Sequence, residues 1–334
     1  MPPVHRRLHI NLDTTSARNL KELPKFRDGL TYLYVEHAFI EQEAQGIGIY
    51  DQQGLTLVPV AALGVLFLGP GTRITHAAIR TLAANGCTVA WVGEGLARFY
   101  AQGLGDTRSA LRLQRQARAW ADPKLHLEVV FRLYQKRFQE PLPRDFSLEQ
   151  VRGLEGVRVR AAYTRWSRET GVPWQGRSYD RRNWAASDPV NRALSSGAAY
   201  LYGLAHAAIV SSGFSPALGF IHTGKLLSFV YDVADLYKTE VLVPAAFLTV
   251  AEGDHQVERR VRQKLREAIL EARLLERMVE DLLDLFAGLG LPEEEVDEED
   301  PTRPGGLWDP EGVVEGGVAY GGDDPGEGAE EPEG

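Results

Sequence analysis

The sequence predicts an α+β protein: a small β-rich domain over residues 1–103, a larger all-α domain over 104–292, and an acidic Gly/Pro-rich tail over 293–334. Three observations carry this. Short β-prone segments separated by turn residues fill the first hundred positions. Beyond the break at Gly103-Leu104-Gly105-Asp106, apolar residues recur at helical spacing. From Pro292 the chain turns to Glu, Asp, Gly and Pro, which bury too little surface to fold alone.

In chain order, Leu33–Val35, Ile47–Ile49 and Leu55–Val58 read as strands, with Asp51-Gln52-Gln53-Gly54 as a hairpin turn. Thr75 caps a helix over His76–Ala84, and Asn85-Gly86 ends it in the left-handed manner. Cys87–Val92 reads as a buried strand, Gly93-Glu94-Gly95 as a turn, and Ala97–Ala101 as the return strand. Gly93-x-Gly95 lies between two strands and opens no helix, so it is a turn and not a dinucleotide fingerprint. Helices follow over 107–121, 124–139, 147–170, 188–212, 225–238, 241–251 and 255–288. Ser147-x-x-Gln150 has capping-box spacing, Asp188-Pro189 is an N-cap followed by proline, and Gly171 and Gly213 close two helices. No internal repeat is visible. Within the tail, Leu307-Trp308, Val313-Val314 and Val318-Ala319-Tyr320 are apolar islands, read either as inert or as a segment that orders on a partner.

A chain of 334 residues holds two domains, each with its own core. Its one cysteine, Cys87, excludes an internal disulfide framework and fits a reducing compartment. Met1-Pro2-Pro3-Val4-His5-Arg6-Arg7 leads into no apolar signal core, and the longest apolar run, Val58–Leu68, is too short to span a bilayer. A cytoplasmic protein is expected. The net charge of −9 conceals an asymmetry: residues 293–334 carry 16 acidic and 1 basic side chains, leaving residues 1–292 with 36 basic against 30 acidic. A basic body with an acidic tail points to a polyanion partner.

The chemistry concentrates in Gly219-Phe220-Ile221-His222-Thr223-Gly224-Lys225 and the helical run behind it, where Leu226, Phe229, Val230, Val233 and Leu236 form an apolar stripe. Asp232 and Asp235, three apart, share one helical face. His222 lies just before the helix, and Thr223-Gly224 allows a turn that brings the imidazole to the same surface. Imidazole plus carboxylate suits a divalent metal once a third ligand arrives. Glu155, flanked by Gly153 and Gly156 among Arg152, Arg158 and Arg160, is the candidate. Each part has an ordinary alternative: a solvated Asp pair, a structural His, a Glu in an ion pair. The strongly apolar run around the two aspartates argues otherwise, because uncompensated charge there is costly.

Leu154-Glu155-Gly156-x-Arg158-Val159-Arg160, together with Gly219-Phe220-x-His222-Thr223-Gly224-Lys225-x-Leu227-Ser228-Phe229-Val230-Tyr231-Asp232-x-Ala234-Asp235, closely resembles the CRISPR-associated adaptation integrases of the Cas1 family, type I-E branch. The resemblance runs from about the first strand to the last helix and leaves the tail uncovered. It implies an enzyme that inserts short foreign DNA into the CRISPR array, by attack of a 3′-hydroxyl on the leader–repeat phosphodiester. With water attacking, the same site would be an endonuclease. Glu155, His222 and Asp235 would hold Mg²⁺ or Mn²⁺, with Asp232 one turn away as auxiliary ligand, proton acceptor or support. Implied partners are DNA with 3′ overhangs, a second copy of the chain, and a small second adaptation protein completing a heterohexamer on which the tail would dock.

By resemblance, Arg73, Arg80, Arg98, Lys225, Arg259 and Arg262 would neutralise DNA phosphates. A second basic stripe, Arg108, Arg112, Arg115 and Arg118 followed by Arg132, Lys136 and Arg137, is on charge alone more often a solvated, ion-paired face. Tyr179, Trp184, Tyr202 and Tyr231 are candidates for stacking on unpaired bases, with Tyr202 and Tyr231 nearest the site motifs. Some family members open the duplex with an early tyrosine wedge. The aligned position here is His37, with Tyr34 nearby. Two other functions stay open: a non-catalytic DNA-binding scaffold whose acidic cluster is structural, and a metal hydrolase acting on a small molecule, which the broad basic surface disfavours.

Overall fold

The computed structural model describes residues 32–290, apart from 45, 97, 104–109, 139, 144 and 179–186, together with 307–310 and 312–314. Arg108, Tyr179, Trp184 and Val318–Tyr320 therefore lie outside the described residues. The chain divides into two compact units, Met1–Glu295 and Val296–Gly334.

In the first unit, β1 (Tyr32–Val35), β5 (Val65–Leu68), β7 (Thr88–Val92) and β8 (Phe99–Gly103) form one sheet in the order β1-β5-β7-β8, parallel except for the last pair. A second sheet has the order β4-β3-β2-β6, from β2 (Phe39–Glu43), β3 (Gly46–Asp51), β4 (Gly54–Pro59) and β6 (Arg73–Ile74). Every residue of β5 is buried, because both faces of the first sheet are covered. Leu66, Leu68 and Val89 pack with the second sheet and α1 (His76–Ala84), whereas Val65, Phe67, Ala90 and Val92 join the helical core. The alternation of side chains across a strand thus welds the β-rich part to the helices. Thr75 Oγ1 accepts from Ala78 N at 3.2 Å, and Gly86 takes φ +70° after the helix, as its sequence requires.

The helical part comprises α2 (Leu111–Ala121), α3 (Pro123–Gln135), α4 (Leu148–Thr170), α5 (Pro189–Ser211), α6 (Ser228–Asp235), α7 (Val243–Ala251), α8 (Val257–Glu271) and α9 (Leu274–Phe286). The Ser147/Gln150 capping box forms with both bonds, and Asp188 Oδ1 accepts from Asn191 N at 2.9 Å. Helix α5 is the axis, packing against α6, α7, α8 and α9. Its 23 residues are, by length and composition, long and apolar enough to cross a membrane, which the uninterrupted run Val58–Leu68 did not signal; 72% of its most apolar window is buried inside the protein, as in a core helix. At Gly203 a Cβ would stand 2.5 Å from the Leu96 carbonyl oxygen, so the missing side chain lets α5 approach the β-rich part.

Two helix expectations need correction. The span 225–238 is helical only from Ser228 to Asp235. Gly224 takes φ +76°, and Ser228 Oγ accepts from Lys225 N at 3.1 Å, which fixes a turn ahead of the helix. Leu226 is 80% exposed and drops out of the apolar stripe. After Asp235 the chain widens into a π-type turn over Lys238–Leu242. The span 255–288 is two helices, split where Arg273 adopts φ +47° so that Leu274 and Leu275 reach the core. In the second unit, Leu307–Asp309 (β9) pairs antiparallel with Gly312–Val314 (β10), Trp308 opposite Val313.

Candidate active site

Asp232 is the fixed point of the site. Its side chain is fully buried on α6, where a lone carboxylate would be costly. It is satisfied by the loop before the helix: Oδ2 accepts from Phe220 N at 2.6 Å and Ile221 N at 3.1 Å, and Oδ1 from His222 N at 2.9 Å. The same Oδ1 lies 2.7 Å from His222 Nδ1. Three successive amides and one ring are thus held by one carboxyl group. Gly219 makes this turn possible, since a Cβ there would run into the His222 carbonyl and Ser228.

With Nδ1 engaged, His222 has Nε2 available to a ligand, a proton or a metal, and its side chain stays 42% exposed. The bond to Asp232 raises the His222 pKa above its ordinary value, against the pull of burial. Tyr231 meets the His222 ring edge-on at 5.8 Å, and Tyr202 meets Tyr231 edge-on at 5.0 Å. The structure therefore brings Tyr231 against the histidine, with Tyr202 on Tyr231.

Asp235, one turn on, pairs with Lys238, whose ammonium also lies 5.2 Å from the Tyr202 ring centroid. Burial lowers the Lys238 pKa, but the charge of Asp235 and hydrogen bonds to Asp235 and Tyr202 outweigh it and leave it raised. Glu155 on α4 is gripped by arginines: Arg158 Nε donates to Oε2 at 2.8 Å, Arg158 Nη2 to Oε1 at 3.0 Å, and Arg137 Nη1 to Oε1 at 3.3 Å. Arg158 Nη1 also donates to Thr239 Oγ1 at 2.7 Å, tying α4 to the turn after α6. Sequence reasoning gave Lys238 and Thr239 no role. The signal for Lys238 was present, since it follows Asp235 at the i,i+3 spacing of a helical ion pair.

The donor types of Glu155, His222 and Asp235 suit a hard divalent cation. Their positions here are those of ion pairs: among the described residues, no three His, Cys, Asp or Glu side chains are grouped to hold a metal. Each carboxylate is instead matched by a protein cation, the charge a metal would bring. The match at Glu155 is imperfect, because Arg137 Nε and Nη2 are buried without a hydrogen-bond partner. The residues fit a divalent cation in donor chemistry, with these side-chain cations standing in for it.

The basic candidates divide. Arg73, Arg80, Arg98, Lys225 and Arg259 are exposed. Arg262 is partly committed, donating to Ser196 Oγ at 3.0 Å and standing 4.0 Å from Glu94. The second stripe serves the fold: Arg112 donates to the Ser212 carbonyl, Arg132 caps α9 through the Ala287 carbonyl at 2.6 Å, and Lys136 pairs with Asp281 and Asp284. His37 is exposed with φ +52°, whereas the Tyr34 hydroxyl donates to Glu36 at 2.7 Å.

Comparison with known proteins identifies the family of the chain. Residues 132–282 match the family described as CRISPR associated protein Cas1. Among solved structures, a crystal structure of a TtCas1–DNA complex superposes with a TM-score of 0.73 at 81% identity, covering 80% of this chain and 100% of that one. A casposase bound to integration product has a TM-score of 0.52 at 15% identity over 80% of this chain and 100% of its own, and shares the fold alone. The CRISPR-associated endonuclease Cas1 2 of Thermus thermophilus is 81% identical over 335 residues, spanning 100% of both chains. At that identity over its whole length, this chain belongs to the Cas1 family of CRISPR-associated proteins.

Proposed function

We propose that this chain is a metal-dependent DNA endonuclease and integrase of CRISPR adaptation, of the type I-E branch, which joins the 3′-hydroxyl of a short captured DNA to the leader–repeat boundary. The observation that carries this is the His222–Asp232 pair: a fully buried carboxylate fixes three backbone amides and one ring nitrogen, and leaves the other nitrogen available beside Asp235. An inert DNA scaffold has no need of so costly an arrangement. The family supports it, since an 81% identical member is called an endonuclease and another structure of such a member contains DNA.

Glu155, His222 and Asp235 would hold Mg²⁺ or Mn²⁺, which when bound makes the attacking hydroxyl more acidic and neutralises charge building on the phosphoryl oxygens. Asp232 orients His222 and keeps its Nδ1 occupied. Arg158, Arg137 and Lys238 neutralise the two carboxylates until the cation takes their place. Tyr202 and Tyr231 offer aromatic edges and faces to an unpaired strand end, while Lys225 and Arg259, with Arg73, Arg80 and Arg98, supply phosphate contacts independent of sequence. Joining two DNA ends at two target sites calls for two such centres. A homodimer, bridged by a small second adaptation protein into a heterohexamer and working in the cytosol, meets that need. Exposed Leu55 and Leu57 on β4, with exposed Phe39 on β2 in register across Tyr50 of β3, give the second sheet an apolar surface suited to a second copy.

The test is strand transfer with a 3′-overhang duplex and a CRISPR-bearing plasmid, in the presence of the small partner. Wild type is compared with His222→Ala, with and without Mg²⁺ or Mn²⁺, at matched folding and DNA binding. Joining by wild type with metal alone supports the proposal. Equal joining by both makes His222 structural, and DNA binding without joining by either favours the scaffold.

A further inference from the structure

We propose that one face of α2, with the first turn of α3, is a positioning element for His222: Gln116, Trp120 and His126 set the register of the 212–222 loop from the side opposite Asp232. Arg112, Gln116 and Trp120 are spaced four apart, so they stand one above another on α2, about 6 Å per step. The loop climbs alongside them. Arg112 Nη1 donates to the Ser212 carbonyl at 3.1 Å. Gln116 Nε2 donates to the carbonyls of Ser215 at 3.0 Å and Leu218 at 3.1 Å, and its Oε1 accepts from Ser215 N at 2.7 Å. Trp120 Nε1 donates to the Gly219 carbonyl at 3.1 Å. His126 then bridges the end of α2 and the loop, its ring nitrogens each 3.0 Å from the carbonyls of Trp120 and Phe220.

The loop is consequently clamped from two sides. Its carbonyls at 215, 218, 219 and 220 face α2 and α3, and its amides at 220, 221 and 222 face Asp232. Phe220 N–H donates to Asp232, and its carbonyl lies 3.0 Å from His126 Nε2, which donates to it in the Nε2–H tautomer. Gln116 is the anchor: it is fully buried, and a buried amide that satisfies both its ends fixes one geometry and penalises any other. A slip of the loop along α2 by one residue breaks the Asp232 contacts together with the α2 contacts, and turns the His222 ring away from its place beside Asp235. These are positioning residues, acting through the loop, and the inference rests on His222 belonging to the active centre.

Trp120→Phe and Gln116→Met test it. Trp120 is 45% exposed, so Trp120→Phe removes one donor without opening the core, and it decides the matter if Gln116→Met does not fold. In metal-free protein carrying ¹⁵N-histidine, the His222 Nδ1–H signal is assigned among the eight histidines by its loss in His222→Ala. The expected result is a shifted or broadened His222 signal in both variants. Strand joining at saturating DNA should fall roughly tenfold to a hundredfold, the scale of an ångström-sized misplacement, while DNA affinity stays within about twofold. Lower melting temperatures with an unchanged His222 signal and unchanged joining would overturn the proposal, leaving α2 as a structural brace. The two readings separate cleanly. Full activity in His222→Ala makes His222 structural and takes it out of the active centre, whereas loss in His222→Ala with none in the α2 variants defeats only the positioning claim.

Discussion

Replacing Asp232 with Asn changes one atom of the site and tests its central bond set. The carboxylate accepts four hydrogen bonds, from Phe220 N, Ile221 N, His222 N and His222 Nδ1. An asparagine offers one oxygen and one NH₂ group in the same volume. With its oxygen toward Phe220 and Ile221, the NH₂ faces the two His222 donors; with the amide reversed, it faces the other two. Relief is available in the first orientation alone, where the ring accepts at Nδ1 and moves its proton to Nε2. One or two buried donors stay unpaired either way, each worth about 1–3 kcal/mol, so the loss is about 2–4 kcal/mol. At roughly 2–4 °C per kcal/mol for a domain of this size, the melting midpoint should fall by about 5–15 °C. Activity should fall further than stability suggests, because a proton on Nε2 removes the lone pair that a metal or an acid proton needs. The corresponding tautomer error in a Ser-His-Asp triad costs about 10⁴ in rate, and a loss of roughly 10²–10⁴ is expected here. Calorimetry in chelator and single-turnover strand joining measure the two effects. A midpoint within 2 °C of wild type, by the same roughly 2–4 °C per kcal/mol, refutes the bond count, and full activity at lowered stability refutes the orienting role.

Other consequences follow from the neighbouring charges. Lys238→Met leaves Asp235 without its partner; since both side chains keep some exposure, the metal-free protein should lose about 1–3 kcal/mol. Mn²⁺ should then raise its melting temperature by more than it raises that of wild type, and equal rises would sink the idea that Lys238 stands in for the metal. His206, stacked on Phe99 at 3.9 Å, has its pKa pushed down to about 4 by burial. The unfolded chain binds the extra proton between pH 6.5 and about 4, so stability falls as pH drops through that window, by up to roughly 3 kcal/mol. Denaturant titrations of His206→Phe should show that portion of the slope removed; an unchanged slope assigns it elsewhere. Arg259, exposed near the start of α8, should contribute one phosphate contact: Arg259→Ala should weaken DNA binding alike for all sequences and reduce the log–log salt slope by about 1. A sequence-dependent loss with an unchanged slope would exclude it from the backbone track.

Most of the architecture was legible because it is written in local code. Thr75, Ser147, Asp188, Gly86 and Gly171 announce helix ends through bonds or dihedrals that involve residues at most a few positions away. The errors fell where a distant contact overrode local periodicity. Arg273 breaks the run 255–288 although nothing in its neighbours requires a break; the reason is that Leu274, Leu275 and Met278 must reach a core built by α2, α3 and α5. Leu226 fits the apolar stripe by spacing, yet the Ser228 turn leaves it in solvent.

The sequence by itself determined the succession of a β-rich part and a helical part, the split between a basic body and an acidic tail, and the choice of Glu155, His222, Asp232 and Asp235 as candidates for the chemistry. Spacing along one chain is enough for these, because helix faces, caps and net charge depend on near neighbours. Only the tertiary structure decided what each side chain does. It buried Asp232 beneath three amides, left His222 half open, and matched Glu155 and Asp235 with Arg137, Arg158 and Lys238. It also ran Gln116 and Trp120 along a loop about a hundred positions away. Burial and the pairing of buried polar groups are properties of surfaces that meet in space, so no period or motif in one strand of sequence can state them.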